Sequence, residues 1–148
     1  MHHGRHTTDK DKDTAKLALV GNPNVGKSVV FSALTGRYAT VSNYPGTTVK
    51  VSRGLMRASG KTLGIIDTPG VNSLVPMSED ELVTRDILLN DDLFCAVQVM
   101  DAKNLRRSLL ITVQLIEMGL PLTLSLNMYD EAGERGIRID SPWLSDAL

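Results

Sequence analysis

Several scarcities bound what this 148-residue chain can be. It has one cysteine, Cys95, so no internal disulfide can staple it. Cys95 lies in an apolar run and reads as a small buried hydrophobe in a reducing compartment. Aromatic residues amount to 4%, too few for the base-stacking platforms of single-strand binders. Neither sign of charge dominates: 16 basic residues stand against 17 acidic, for a net charge of −1. That balance argues against a nucleic-acid footprint and against a patch for acidic membranes. No apolar stretch approaches the roughly 18 residues of a membrane span, and the run from Phe94 to Met100 is among the longest. The first 16 residues hold no hydrophobic run and so no secretory signal. With 42% hydrophobic and 22% charged residues, the chain reads as one soluble globular domain with a sizeable core.

What is present centres on Gly21-Asn22-Pro23-Asn24-Val25-Gly26-Lys27-Ser28, which fits the phosphate-cradling pattern G-x-x-x-x-G-K-[ST]. Before it runs the apolar, β-prone Lys16–Val20, and after it a helix opens through Val29 towards Leu34. A strand turning tightly into a helix N-terminus aims backbone N–H groups and the positive end of the helix dipole at one spot. Gly21 and Gly26 let the backbone wrap closely, Lys27 reaches the outer phosphates, and the Ser28 hydroxyl can ligate Mg²⁺.

Strands and helices alternate around this loop. Residues 1–15, which hold His2, His3 and His6, read as a disordered leader ahead of a domain over 16–148. The spacing predicts strand Lys16–Val20, a helix from Lys27 to Leu34 stopped by Gly36, and a loop from Arg37 to Gly46. Strands Thr48–Leu55 and Lys61–Ile66 follow, joined by the turn Ser59-Gly60. Ser78 caps an acidic first turn, and the helix after it carries Leu82, Ile87 and Leu88 or Leu89 inward. Leu93–Met100 reads as a central strand. In the helix Leu105–Met118, residues Leu105, Leu109, Thr112, Val113 and Ile116 share the expected inner face. Strand Pro121–Leu126, a short helix over Asp130–Gly136 and a last helix capped by Ser141-Pro142, with Trp143 and Leu144 opening its apolar face, complete the chain. The order is α/β: a doubly wound, mostly parallel sheet with one antiparallel hairpin, in which ligands bind beyond the carboxyl ends of the strands.

The residues at those ends carry the chemistry. Asp67, closing an apolar strand, is placed to hold Mg²⁺ through its waters, and Thr68-Pro69-Gly70 follows it. The Gly70 N–H could meet a terminal phosphate. After the last strand stands Asn127-Met128-Tyr129-Asp130. A carboxylate at Asp130 would accept from N1–H and the 2-amino group of guanine, which adenine cannot match. Asn127 would hold neighbouring loops and the base N7. Between the two boxes, Thr48 in Pro45-Gly46-Thr47-Thr48 is chosen to complete a Mg²⁺ shell when a γ-phosphate is present. Three boxes in this order indicate a GTPase that binds GTP and GDP with Mg²⁺.

The runs GNPNVGKS, NYPGTTV, DTPGVNSL, SEDELVTRDIL, VMDAKNLRRSLLITVQLIEMGLPLTLSLNMYDEA and GIRID resemble the cytosolic G domain of ferrous iron transport protein B over about residues 16–148. The resemblance implies a P-loop GTPase switch that regulates Fe²⁺ uptake from the cytoplasmic side of the bacterial inner membrane. It also implies a helical regulatory domain and a membrane permease as partners. Val71 stands where many GTPases carry a water-orienting Gln, and no arginine finger is evident in cis, since Arg37 and Arg53 read as solvated charges. Slow hydrolysis is expected. The resemblance implies that Asn24 helps to bind K⁺ beside the phosphates.

The chain ends 18 residues after Asp130, ahead of the Ser-Ala loop, further strand and closing helix that the resemblance implies. A truncated domain, an uncovered sheet edge and weakened guanine affinity are the expectations. Two other readings stand: a soluble GTPase of ribosome or RNA maturation, and a guanine-nucleotide-sensing module without turnover.

Overall fold

The computed structural model describes residues 14–36 and 39–148. Residues 1–13 of the leader, with all three histidines, and Arg37 lie outside the described residues. The elements run β1 (Lys16–Val20), α1 (Lys27–Thr35), β2 (Ala39–Asn43), β3 (Lys50–Ala58), β4 (Lys61–Asp67), α2 (Glu79–Asn90), β5 (Leu93–Asp101), a 3₁₀ turn Ala102–Asn104, α3 (Leu105–Glu117), β6 (Leu122–Asn127), α4 (Tyr129–Glu134) and α5 (Ser141–Ala147). One six-stranded sheet has the order β2-β3-β4-β1-β5-β6. β1 pairs parallel with β4 and β5, and β5 parallel with β6, while β3 is antiparallel to both β2 and β4.

Period-two alternation along the central strands sends side chains to opposite faces. Leu17, Leu19 and Ile65 pack with Phe31 of α1 on one face. On the other, Ala18, Val20 and Ala96 meet Ile111 and Leu115 of α3, and Ile66 meets Val83 and Ile87 of α2. Burying a large aliphatic side chain contributes about 1.5–3 kcal/mol, so these three clusters hold the helices to the sheet. The parallel strands therefore deliver the ends of β1, β4, β5 and β6 to a single rim, with Leu19 level with Asp67 and Asp101 level with Asn127.

Five expectations need correction. The segment read as a loop before Gly46 contains β2, whose five residues are all exposed. A fully exposed strand shows no alternation, and its pairing comes from the open edge of β3. In α3, Val113 (46% exposed) and Ile116 (39%) lie outward, whereas Ser108, Ile111, Thr112 and Leu115 are buried. The rotation is fixed by buried Gln98 of β5, whose amide donates to Ser108 O at 2.9 Å and accepts from Thr112 Oγ1 at 2.7 Å. In α2, Leu82 and Leu89 are exposed, and Val83 and Thr84 take the inner positions beside Ile87 and Leu88. The Ser78 cap is present as a reciprocal capping box with Glu81. At α5 the cap is Asp140, which accepts from Trp143 N at 3.0 Å, and Trp143 is exposed. Cys95 is only half-buried, and desolvation still pushes its thiol pKa up, away from thiolate reactivity.

β6 forms one edge of the sheet, beside a groove of about 500 Å³ lined by Ile116, Leu122, Leu124, Leu126, Leu144 and Leu148, among others. Among the described residues no helix is long and apolar enough to cross a membrane.

Candidate functional site

The loop between β1 and α1 is shaped by two close approaches. Gly21 passes so near β5 that a Cβ there would stand 2.6 Å from Val99 O. Asn24 (φ 64) and Gly26 (φ 86) both take the left-handed conformation, which curls the backbone before α1 starts at Lys27. A Cβ on Gly26 would lie 2.1 Å from Asn127 Nδ2, so the phosphate loop and the end of β6 are in contact. The first helical bond is Val30 N to Gly26 O at 3.1 Å, which leaves the N–H groups of Lys27, Ser28 and Val29 as the orphan donors of a helix start. Successive N–H groups of this kind make an anion-binding concavity. Asn24 and Ser28 are exposed at its mouth, Pro23 is half-buried, and Asn22 and Val25 are buried beneath it. Val29 is 71% exposed and faces solvent on α1.

Asp67 closes the loop from the β4 side. Lys27 Nζ donates to Asp67 Oδ1 at 2.6 Å and to Thr68 O. Both charged side chains are about nine-tenths buried, so each supplies the counter-charge the other requires. Thr68 does not face the loop: its hydroxyl donates to Leu19 O at 2.7 Å and ties β4's exit to β1. The Pro69 carbonyl faces Thr84 Oγ1 of α2 at 3.5 Å. Gly70 lies on the phosphate loop, where a Cβ would come within 3.0 Å of Pro23 Cα. Val71 donates its N–H to Gly21 O at 3.0 Å, and its side chain is buried in the core.

On the β6 side, Asn127 Nδ2 donates to Val25 O at 2.9 Å. Met128 takes the left-handed conformation (φ 56) and caps α4, which sets Asp130 in an exposed, acidic first turn. Lys103, whose N–H is held by Asp101 Oδ1 at 2.9 Å, reaches Glu131 of that turn at 2.5 Å. Sequence reasoning passed over this Asp101–Lys103–Glu131 bracket, although Asp-Ala-x-Asn-Leu at a strand end was the signal for it.

Thr48, like Thr68 and Val29, is a predicted site residue whose side chain the fold does not turn to the loop. Its hydroxyl bonds Glu79 of α2 at 3.2 Å and not Asp67 or Ser28. The reason is Tyr44, which packs on the Val49–Ile66–Ile87 cluster and donates a hydrogen bond to Asp86 of α2. That bond, with desolvation and the charges of Asp86 and Asp91, pushes the Tyr44 pKa up to about 12. The segment Tyr44–Val49 is thereby drawn onto α2. Arg53 is likewise engaged, pairing with Asp91 at 3.2 Å.

The residues present fit phosphate and Mg²⁺ by their chemistry. The left-handed backbone and the orphan N–H groups open α1, Ser28 is exposed in its first turn, and the Asp67 carboxylate is tied to the same helix start through Lys27.

Comparison with known proteins agrees with this geometry. The model of the family described as ferrous iron transport protein B matches residues 15–148. The Fe(2+) transporter FeoB of Staphylococcus aureus (strain COL) is 44% identical over 122 residues, which is 82% of this chain and 18% of that protein. FeoB of Methanocaldococcus jannaschii is 45% identical over 104 residues, 70% of this chain and 16% of that protein. This chain thus spans less than a fifth of the length of these relatives. Among solved structures, the G domain of T. maritima FeoB superposes with a TM-score of 0.85 at 38% identity, covering 91% of this chain and 82% of that one. A mutant S. thermophilus NFeoB bound to GDP gives 0.84 at 42% identity, covering 89% of this chain and 52% of that one. The ribosome-maturation reading is set aside by the family match. A P-loop between the ends of β4 and β6, on a sheet shared with these G domains, places the chain in the ferrous iron transport protein B family as its G domain.

Proposed function

We propose that this chain binds GTP and GDP with Mg²⁺ and hydrolyses GTP slowly, as the nucleotide switch of a Fe²⁺ transporter. One observation carries the reading. The phosphate loop is bracketed on one side by Asp67, paired to Lys27, and on the other by Asn127, bonded to Val25 O. Lys27 and the loop N–H groups would hold the phosphates, Ser28 and Asp67 the Mg²⁺, and Asn127 and Asp130 the guanine. Bound Mg²⁺ would supply charge neutralisation at the phosphates. Gly70, which abuts Pro23, would offer its N–H to the γ-phosphate and so distinguish GTP from GDP. Thr48 would join the Mg²⁺ ligands only after leaving Glu79, which makes its segment the moving part.

Slow turnover follows from Val71. Its side chain is 2% exposed and cannot orient water from inside the core. Asn24, exposed in the left-handed conformation at the loop's mouth, is the residue we assign to K⁺. In the full-length protein the switch would act with a helical regulatory domain and a membrane permease, at the cytoplasmic face of the bacterial inner membrane.

Phosphate release under multiple turnover, measured in matched KCl and NaCl, tests the proposal. Turnover faster in KCl, and lost with Asn24→Ala, is the expected result. Equal rates in both salts would remove the K⁺ assignment. Nucleotide binding without any phosphate release would instead favour the sensing module, a reading that buried Val71 also suits.

A further inference from the structure

We propose that Asn72 is a positioning residue for the triphosphate, bridging Asn22 of the phosphate loop and Arg107 of α3 so that Gly70 is held against the loop. The proposal rests on the GTP-binding reading above.

Two stretches distant in sequence run side by side here. Val71 N donates to Gly21 O at 3.0 Å, Gly70 abuts Pro23, and Asn22 Nδ2 donates to Asn72 Oδ1 at 3.3 Å. The same Asn72 oxygen accepts from Arg107 Nη2 at 3.2 Å. A guanidinium has donors only, so Arg107 obliges Asn72 to present its carbonyl. Asn22 must then offer its NH₂, and its own Oδ1 is left without a partner although the residue is 1% exposed. Buried carbonyls are almost always satisfied, and this exception is explained by the direction Arg107 imposes. Farther along, Gln114 of α3 accepts from Leu74 N at 2.8 Å and donates to Ser73 Oγ at 3.0 Å. Val71 and Leu74 are anchored in the core between these ties. The segment from Val71 to Leu74 is therefore clamped to α3, and Gly70, one residue ahead of the clamp, inherits its position.

The consequence is selective. Only a triphosphate would engage the Gly70 N–H, so loosening the clamp should weaken GTP and leave GDP alone. A general loss of stability would weaken both.

Titration of the chain with fluorescent mant-GDP and with a non-hydrolysable mant-GTP analogue tests this. Asn72→Ala should weaken the triphosphate analogue about 3- to 10-fold, as for one or two net hydrogen bonds, with GDP affinity within about twofold of the unsubstituted chain. Asn72→Asp, which keeps an acceptor for both donors, should restore the unsubstituted ratio. Adding Arg107→Ala to Asn72→Ala should produce no further loss, because Asn72 is the shared node. Should Asn72→Ala fail to fold, Arg107→Ala alone, on the exposed start of α3, should lower the same ratio. Equal weakening of both nucleotides, no weakening of the analogue, or an Asn72→Asp variant as poor as Asn72→Ala would overturn the assignment. If the unsubstituted chain bound neither nucleotide, the GTP-binding reading itself would fall. Retained GDP binding with an unmoved ratio would remove Asn72's role alone.

Discussion

Gly26→Ala tests whether the phosphate loop and the end of β6 form one structural unit. The substitution has two separable costs. A Cβ in the left-handed conformation of Gly26 (φ 86) costs roughly 1–2 kcal/mol from its own backbone. The same Cβ would fall 2.1 Å from Asn127 Nδ2, so Asn127 must swing away and its bond to Val25 O is lost. That net hydrogen bond contributes about 0.5–1.5 kcal/mol. The sum is about 1.5–3.5 kcal/mol, and at about 2–4 °C per kcal/mol for a chain of this size the midpoint should fall by about 3–14 °C. Thermal unfolding followed by circular dichroism, without nucleotide, reads the effect. Gly136→Ala is the internal control: its φ is 74, but no atom lies within 4 Å of the added Cβ, so only the backbone cost applies. Asn127→Ala removes the obstacle, so Gly26→Ala should cost less in that background than alone. If Gly26→Ala melted no lower than Gly136→Ala, or the two effects simply added, the loop and β6 would not be in the contact described.

Two further outcomes follow from the same geometry. Val71→Gln should lower the melting midpoint without raising GTP turnover, because burying an amide in the Ala18–Leu74–Ile111 cluster costs about 1–3 kcal/mol and leaves the group out of the site. Faster phosphate release with an unchanged midpoint would contradict this. For Tyr44 the folded-state pKa, about 12, lies above the ordinary value of 10.0, so the folded chain holds this proton more tightly than the unfolded chain. The associated stability is complete below pH 10 and is lost as pH rises towards 12. Urea midpoints of Tyr44→Phe should therefore decline less steeply over that window than those of the unsubstituted chain, and parallel curves would refute the Tyr44–Asp86 linkage.

Much of the architecture was legible because it is local. The Gly-rich turn between an apolar strand and a helix, the Ser59-Gly60 hairpin and the Ser78–Glu81 capping box are each written within a few neighbouring residues. Failures occurred where a distant partner decided. Hydrophobicity alone pointed Val113 and Ile116 inward, and a Gln inside an apolar strand turned α3 the other way by bonding Ser108 and Thr112. An exposed strand such as Ala39–Asn43 has no periodicity to read, since its only reason to be extended is the neighbouring edge of β3. Thr48 reads from the sequence only as a residue entering a strand, but Tyr44 and α2 determine where that segment lies.

The sequence by itself determined which residue types stand around the loop. Residue types at fixed short spacings dictate backbone curvature, a cation beside phosphate and a carboxylate at a strand tip, and none of these needs a long-range contact to be stated. Only the tertiary structure decided which of those groups meet. Parallel pairing of β1, β4, β5 and β6 brings Lys27 to Asp67 and Asn127 to Val25 across 40 and 102 residues. The same packing sends Val71 into the core and ties Asn72 to Asn22 and Arg107. Contacts closed across such separations depend on the register of whole strands, which is settled by burial of the sheet's two faces and not by any residue near the site.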